Sequence, residues 1–225
     1  MEYKAYREFK DRIYEQFARI GKALSSPKRL EVIDLLAQGE RSVEDVAGAT
    51  AMPVANASQH LQVLRAAGMV EVRREGKRAY YRLADEGVYE AWRAVRGLGE
   101  RRLAEVDRVV ETYLEDRGSM RVVEAEELLG LLRDGDDVVV LDVRPKGEYR
   151  AGHIAGARSV PVEEIEQRLR EIPKGKMVVA YCRGPYCVYS DDAVRLLRSR
   201  GYEARMFTQG FPEWRAAGMP VETGC

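Results

Sequence analysis

Val178-Val179-Ala180-Tyr181-Cys182-Arg183-Gly184-Pro185-Tyr186-Cys187 is an apolar run of strand length that ends on a cysteine and passes into a short loop. The following Val188–Arg200 has helical spacing, so Cys182 is predicted to stand between a strand and a helix. Working outward, Val138-Val139-Val140-Leu141 and the short Ala204-Arg205-Met206-Phe207 are further strand candidates, and Val162–Glu171 is a further helix candidate. Short apolar strands alternating with helices predict an α/β unit with a parallel central sheet and crossover helices.

The pattern changes near Gly118-Ser119, which predicts two domains, 1–118 and 119–225. A chain of 225 residues is long enough to give each its own core. The first half reads as mainly helical. Ser26-Pro27 marks a helix start that runs to about Ala37 and stops at Gly39, and Ser42 with Asp45 predicts a capping box opening Val43–Ala49. After Met52-Pro53 a helix carries Ala57, Leu61 and Leu64 at helical spacing and ends at Gly68. Alternating Val70, Val72, Tyr81 and Leu83 about a turn at Glu75-Gly76 predict a two-stranded hairpin. Glu86 to Glu115 then reads as one long amphipathic helical stretch. Three helices and a basic hairpin make a winged helix–turn–helix, an α+β unit, so the chain is expected to be multidomain.

Composition sets limits. With 45% hydrophobic and 33% charged residues the chain has the make-up of a globular protein. No apolar run is long enough for a membrane span, and the N-terminal residues lack the core of a secretory signal, so a cytoplasmic location without membrane contact is expected. Three cysteines, all in the C-terminal half, do not make a disulfide framework. Formal net charge is zero, so nucleic-acid affinity has to come from local clustering.

Such a cluster exists. With Ala57, Leu61 and Leu64 turned to the core, Asn56, Ser58, Gln59 and Gln62 point outward and suit base edges in a major groove. The hairpin carries Arg73, Arg74, Lys77, Arg78 and Arg82 against the acid Glu75, a stripe able to neutralise phosphates. A basic hairpin alone is usually a solvated face; beside a helix–turn–helix it reads as a DNA contact. His60 suits a phosphate or base contact about as well as helix packing, and no accompanying Cys, His or acidic pair makes it a metal ligand.

Residues 18–83 resemble the ArsR family of small repressors, above all in Ala23-Leu24-Ser25-Ser26-Pro27-Lys28-Arg29-Leu30, Ser58-Gln59-His60-Leu61-Gln62-Val63-Leu64-Arg65 and Gly68-Met69-Val70. The resemblance implies that Val54–Ala67 is the recognition helix, that the partner is double-stranded operator DNA, and that the protein is a homodimer held by terminal helices. Metal-sensing members of that family place cysteines in the helix–turn–helix or His/Asp/Glu clusters on the dimer helix. Here Leu35–Thr50 and Glu86–Arg117 contain no Cys and no His, so no metal and no cofactor are expected and the signal must enter elsewhere.

Residues 121–225 resemble the rhodanese family through Leu141-Asp142-Val143-Arg144, Glu148-Tyr149, Gly152-His153-Ile154-Ala155-Gly156-Ala157 with Pro161, and Gly210-Phe211-Pro212-Glu213-Trp214. Tyr181-Cys182-Arg183-Gly184 stands where that family keeps its active cysteine. A lone cysteine at a strand end is usually packing, but here loop amides, the helix N-terminus and the charge of Arg183 are expected to favour the thiolate. Such a thiolate can take sulfur from a sulfane-sulfur donor (polysulfide, persulfide or thiosulfate) and hold it as a persulfide. Asp142, Arg144 and Gly184 are expected to support the loop, and His153 to be structural.

The chain departs from the family at Cys187, five residues after the nucleophile, where a cation is frequent. Its loss weakens the case for small anionic donors and supplies a resolving thiol if the Cα atoms lie within about 4.4–6.8 Å. A phosphatase or arsenate reductase on the same fold would carry His before the cysteine and a longer loop closed by Arg; Tyr181 and Cys187 argue against both. Two functions follow: a sulfur- or redox-responsive regulator in which Cys182 and Cys187 modulate operator binding, or a working sulfurtransferase with an autoregulatory DNA-binding domain.

Overall fold

The computed structural model describes residues 3–114, 121–133 and 137–224. The expected boundary at Gly118-Ser119, the end of the helical stretch at Glu115, and Cys225 lie outside them. The chain divides into two compact units, Met1–Leu98 and Gly99–Cys225.

The first unit begins with a helix not foreseen from the sequence, α1 (Tyr3–Leu24), followed by α2 (Pro27–Leu36). Ser26 is the N-cap of α2 by backbone geometry but makes no side-chain cap bond; Pro27 takes the first helical position as expected. After β1 (Arg41–Ser42) comes α3 (Val43–Ala49), opened by a complete capping box. The Asp45 amide donates to Ser42 Oγ at 3.1 Å and the Ser42 amide to Asp45 Oδ2 at 3.2 Å. Next are α4 (Val54–Ala66) and the hairpin of β2 (Val70–Glu75) and β3 (Arg78–Leu83), turned at Gly76 with φ +58°. Strand order is β1-β3-β2, all antiparallel. Val32, Ile33, Ala57, Leu61, Leu64 and Tyr81 are buried together.

The stretch read as one helix is two, α5 (Glu86–Arg102) and α6 (Ala104–Tyr113), separated by Leu103 in extended conformation (φ −115°, ψ 99°). Gly97 and Gly99 lower helix propensity just before the break. Apolar spacing persists across such a break, so periodicity alone does not reveal it.

The second unit runs β4 (Val122–Val123), α7 (Ala125–Arg133), β5 (Val138–Asp142), α8 (Lys146–Ala151), β6 (His153–Ile154), β7 (Arg158–Ser159), α9 (Ile165–Arg168), β8 (Met177–Tyr181), α10 (Tyr189–Ser199), β9 (Ala204–Phe207), α11 (Gly210–Ala216) and β10 (Val221–Glu222). The expected helix Val162–Glu171 is α9 between two 3₁₀ turns, Val162–Glu164 and Leu169–Glu171. Strands β4-β9-β8-β5-β7 form a parallel sheet, and β6 pairs antiparallel with β10. In register, Asp142 is opposite Tyr181, so β5 and β8 end side by side. Ligand sites of parallel sheets lie beyond such carboxyl ends.

Candidate sulfur site and DNA-binding face

Cys182 follows directly on β8 and is buried, while Cys187 is half-buried just before α10. A disulfide joins them, with Cα atoms 6.3 Å apart. The loop between is tied at several points. The Cys187 amide donates to the Gly184 carbonyl at 3.1 Å, the Phe211 amide to the Cys182 carbonyl at 3.2 Å, and the Tyr186 hydroxyl to the Glu100 carboxylate at 2.6 Å, all within the second unit.

Arg183, expected to lend its charge to the sulfur, is hydrogen-bonded to a carboxylate of α8. Its Nε and Nη2 donate to Glu148, with the shortest bond at 2.6 Å, and the Glu148 side chain is wholly buried. Burial works against the Arg183 charge, but the Glu148 hydrogen bonds outweigh it and hold its pKa above the usual value. These bonds tie the residue after Cys182 to α8. Glu148 was visible in the sequence only as part of a hallmark, because the fold alone brings α8 to the cysteine loop.

Beneath the loop lies a buried polar network. Arg144 donates to Asp142 from Nε at 2.9 Å and from Nη2 at 2.5 Å, and from Nη2 to the Gly152 carbonyl at 2.7 Å. Both side chains of this pair are fully buried, and the Arg144 guanidinium lies 4.5 Å from the Phe211 ring centre. Tyr181, the residue before Cys182, donates its hydroxyl to Asp142 at 2.6 Å and accepts the Ile154 amide at 3.1 Å. Burial, reinforced by the Asp142 charge, pushes the Tyr181 hydroxyl well above the usual tyrosine range. Asp142 thus accepts from both Arg144 and Tyr181, a tyrosine that the sequence offered only as a mark against other chemistries. His153 is buried and stacked on Tyr149 at 3.6 Å, with Nδ1 2.8 Å from the Tyr149 carbonyl.

Glu213 is a further residue without an expected role. It is buried, and its carboxylate lies 3.5 Å from where a Cβ on Gly184 would stand.

In the first unit, Asn56 and Gln59 are exposed on α4, while Ser58 and His60 are half-buried. Gln62 turns toward the wing, donating to the Tyr81 hydroxyl at 3.1 Å. Arg74, Lys77 and Arg78 are exposed at the hairpin tip. Arg73 is engaged by two acids, Glu40 at 2.6 Å and Glu75 at 2.8 Å, and Arg82 by Glu71 at 2.6 Å. The wing therefore faces more carboxylates than Glu75: Glu40 comes from the turn before β1, and Glu71 is the cross-strand partner of Arg82. Among the described residues no group of three His, Cys, Asp or Glu is placed to hold a metal ion, and no helix is long and apolar enough to cross a membrane.

A winged helix–turn–helix followed by a parallel-sheet unit with a cysteine loop defines a DNA-binding regulator that carries a rhodanese-like domain. Family models agree on both parts: bacterial regulatory protein, arsR family, over residues 26–72, and rhodanese-like domain over 124–217. The HTH-type transcriptional regulator Rv0324 of Mycobacterium tuberculosis is 44% identical over 212 residues, covering 94% of this chain and 92% of its own. A sulfurtransferase of Allochromatium vinosum is 33% identical over 100 residues, which is 44% of this chain and 92% of that protein. The homodimeric winged helix–turn–helix domain of Mb0332 from Mycobacterium bovis is 48% identical, covers 42% of this chain and 87% of its own, and superposes with a TM-score of 0.40. The chain belongs to the arsR family of bacterial regulatory proteins, in a form joined to a rhodanese-like domain.

Proposed function

We propose that this regulator is a homodimeric repressor whose rhodanese-like domain senses reactive sulfur or oxidant. The observation that carries the reading is the Cys182–Cys187 bridge. In the reduced protein the Cys182 thiolate takes the outer sulfur of a sulfane-sulfur donor as Cys182–S–S⁻, releasing the donor thiolate. The Cys187 thiolate then attacks Cys182 Sγ and expels hydrosulfide. Two thiols become a disulfide and one sulfane sulfur becomes sulfide, so the electrons balance. Release of operator is the expected response to closing the loop.

Dimerisation is supported by α1. Ala23 is its buried residue, while Tyr6, Phe9, Tyr14 and Phe17 are each more than half exposed (54–65%). An apolar face of that size on a long helix fits a second copy of the chain.

The test is operator affinity of the parent and Cys187→Ser, each fully reduced and after polysulfide. The sensor reading requires a shift of roughly 5- to 150-fold in the parent that Cys187→Ser largely lacks. Identical affinity in all four samples would leave the second reading, a working sulfurtransferase, which the likeness to the Allochromatium enzyme favours and which turnover with excess thiol acceptor would reveal.

A further inference from the structure

We propose that the Cys182–Cys187 bridge is reopened by dithiols, and that the incoming thiolate attacks Cys187 so that Cys182 departs as the thiolate. This rests on the sensing reading above and names the reductant class that resets the same site.

Access decides which sulfur of a disulfide is attacked. Cys182 is 1% exposed and belongs to the buried apolar cluster of the second unit, so it offers an incoming thiolate no surface. Cys187 is only half-buried, and its neighbours on either side, Tyr186 and Val188, are each 45% exposed. The exposed part of the loop is therefore the part that carries Cys187. Bonds that do not involve the sulfurs fix the rest. The Cys182 carbonyl accepts the Phe211 amide at 3.2 Å, the Cys187 amide donates to the Gly184 carbonyl at 3.1 Å, and Arg183 is tied to Glu148. With the Cα atoms 6.3 Å apart and these bonds retained, a thiolate released on Cys182 stays beside Cys187. Its effective concentration there is of the order of mM or higher.

That proximity separates monothiols from dithiols. A monothiolate R–S⁻ bonds to Cys187 Sγ, the bridge breaks, and its electron pair stays on Cys182 Sγ. The Cys182 thiolate then attacks Cys187 Sγ, expels R–S⁻ and restores the bridge. A dithiol escapes this return. Its second thiolate attacks the reductant sulfur bonded to Cys187, closes a disulfide within the reductant and leaves the electron pair on Cys187 Sγ. Both cysteines are reduced, the dithiol is oxidised, and its two protons pass to water or to the cysteines.

The test uses the bridged full-length parent. It is mixed with 2-mercaptoethanol, quenched at increasing times with excess N-ethylmaleimide, and digested with trypsin. Cleavage after Arg183 places Cys182 in residues 177–183 and Cys187 in residues 184–195. At the earliest times the adduct is expected on Cys187 with maleimide on Cys182, in at least about tenfold excess over the reverse. Equal amounts, or an adduct mainly on Cys182, would overturn the point of attack. In a second arm the bridge is opened with dithiothreitol, reduced thioredoxin or 2-mercaptoethanol at equal thiol concentration, and free thiols are read by intact mass. Each rate is divided by that of the same reductant with oxidised glutathione, whose halves separate on opening. At least one dithiol should exceed the monothiol by about tenfold or more, and which of the two does so tells a small dithiol from a protein-borne one. Equal normalised rates would overturn the dithiol assignment while leaving sensing intact. Reset as expected, with operator affinity identical before and after, would instead overturn sensing and leave the reset chemistry standing. A parent in which polysulfide forms no Cys182–Cys187 bridge would overturn both.

Discussion

Gly210 packs directly on the backbone of Gly184: a Cβ at 210 would stand 2.5 Å from the Gly184 nitrogen and 2.7 Å from the Arg183 carbonyl carbon. Gly210 also has φ +81°, a conformation that L side chains rarely adopt. Gly210→Ala is expected to cost about 1–3 kcal/mol in stability through backbone strain. It should also push the cysteine loop out of register and slow sulfur loading of Cys182 by roughly a hundredfold. Urea unfolding and quenched mass spectrometry on one sample read both effects. Unchanged loading in Gly210→Ala would mean that α11 does not set the loop.

The buried Asp142–Arg144 pair predicts a large structural effect. Asp142→Asn leaves Arg144 with a full charge in a fully buried site and should destabilise the protein by about 3–5 kcal/mol. Circular dichroism melts against the parent check this. A loss comparable to a surface substitution would contradict the network described beneath β8.

Tyr181 gives a pH signature. Its folded pKa is raised above the unfolded value of about 10, so its contribution is complete below that pH. Above it the unfolded chain releases a proton that the folded chain retains, and stability falls as pH rises. Tyr181→Phe should therefore lose stability less steeply than the parent above about pH 10. Parallel slopes in urea titrations across that range would remove Tyr181 as the source.

On the wing, the acids that hold Arg73 make a prediction opposite in sign to an ordinary loss of contact. Glu40→Gln should free Arg73 from one of its two acids, leaving Glu75, and so tighten binding to operator and random DNA alike. Arg74→Ala should weaken both and reduce the salt slope by about one unit, whereas Gln59→Ala should weaken operator far more than random DNA. Equal losses on both DNAs for Gln59→Ala would take it off the base-reading face.

Much of this architecture is legible in the sequence, and the reasons are local. The capping box at Ser42 and Asp45, the turn at Gly76 and the apolar strands β5, β8 and β9 are written in neighbouring residues, and the structure has each of them. What escaped depends on partners brought in by folding. The Arg183–Glu148 and Arg73–Glu40 pairs join residues far apart in the chain, so a basic residue that reads as available charge turns out to be engaged. Helix α1 escaped for another reason: its large aromatics are exposed in the single chain, and mixed charges interrupt its apolar pattern.

Gly152 and Phe211 draw out one more consequence. A Cβ on Gly152 would lie 2.7 Å from the Phe211 ring, and the Arg144 guanidinium lies 4.5 Å from the centre of the same ring. The two motifs that hold these residues are distant in the chain but occupy one volume, so neither can drift alone. A descendant that gained a side chain at 152 would have to shrink the ring at 211, and with it surrender the surface on which Arg144 rests. Paired change at these two positions is thus the mark by which relatives with a remodelled sulfur domain can be told from those that have kept it.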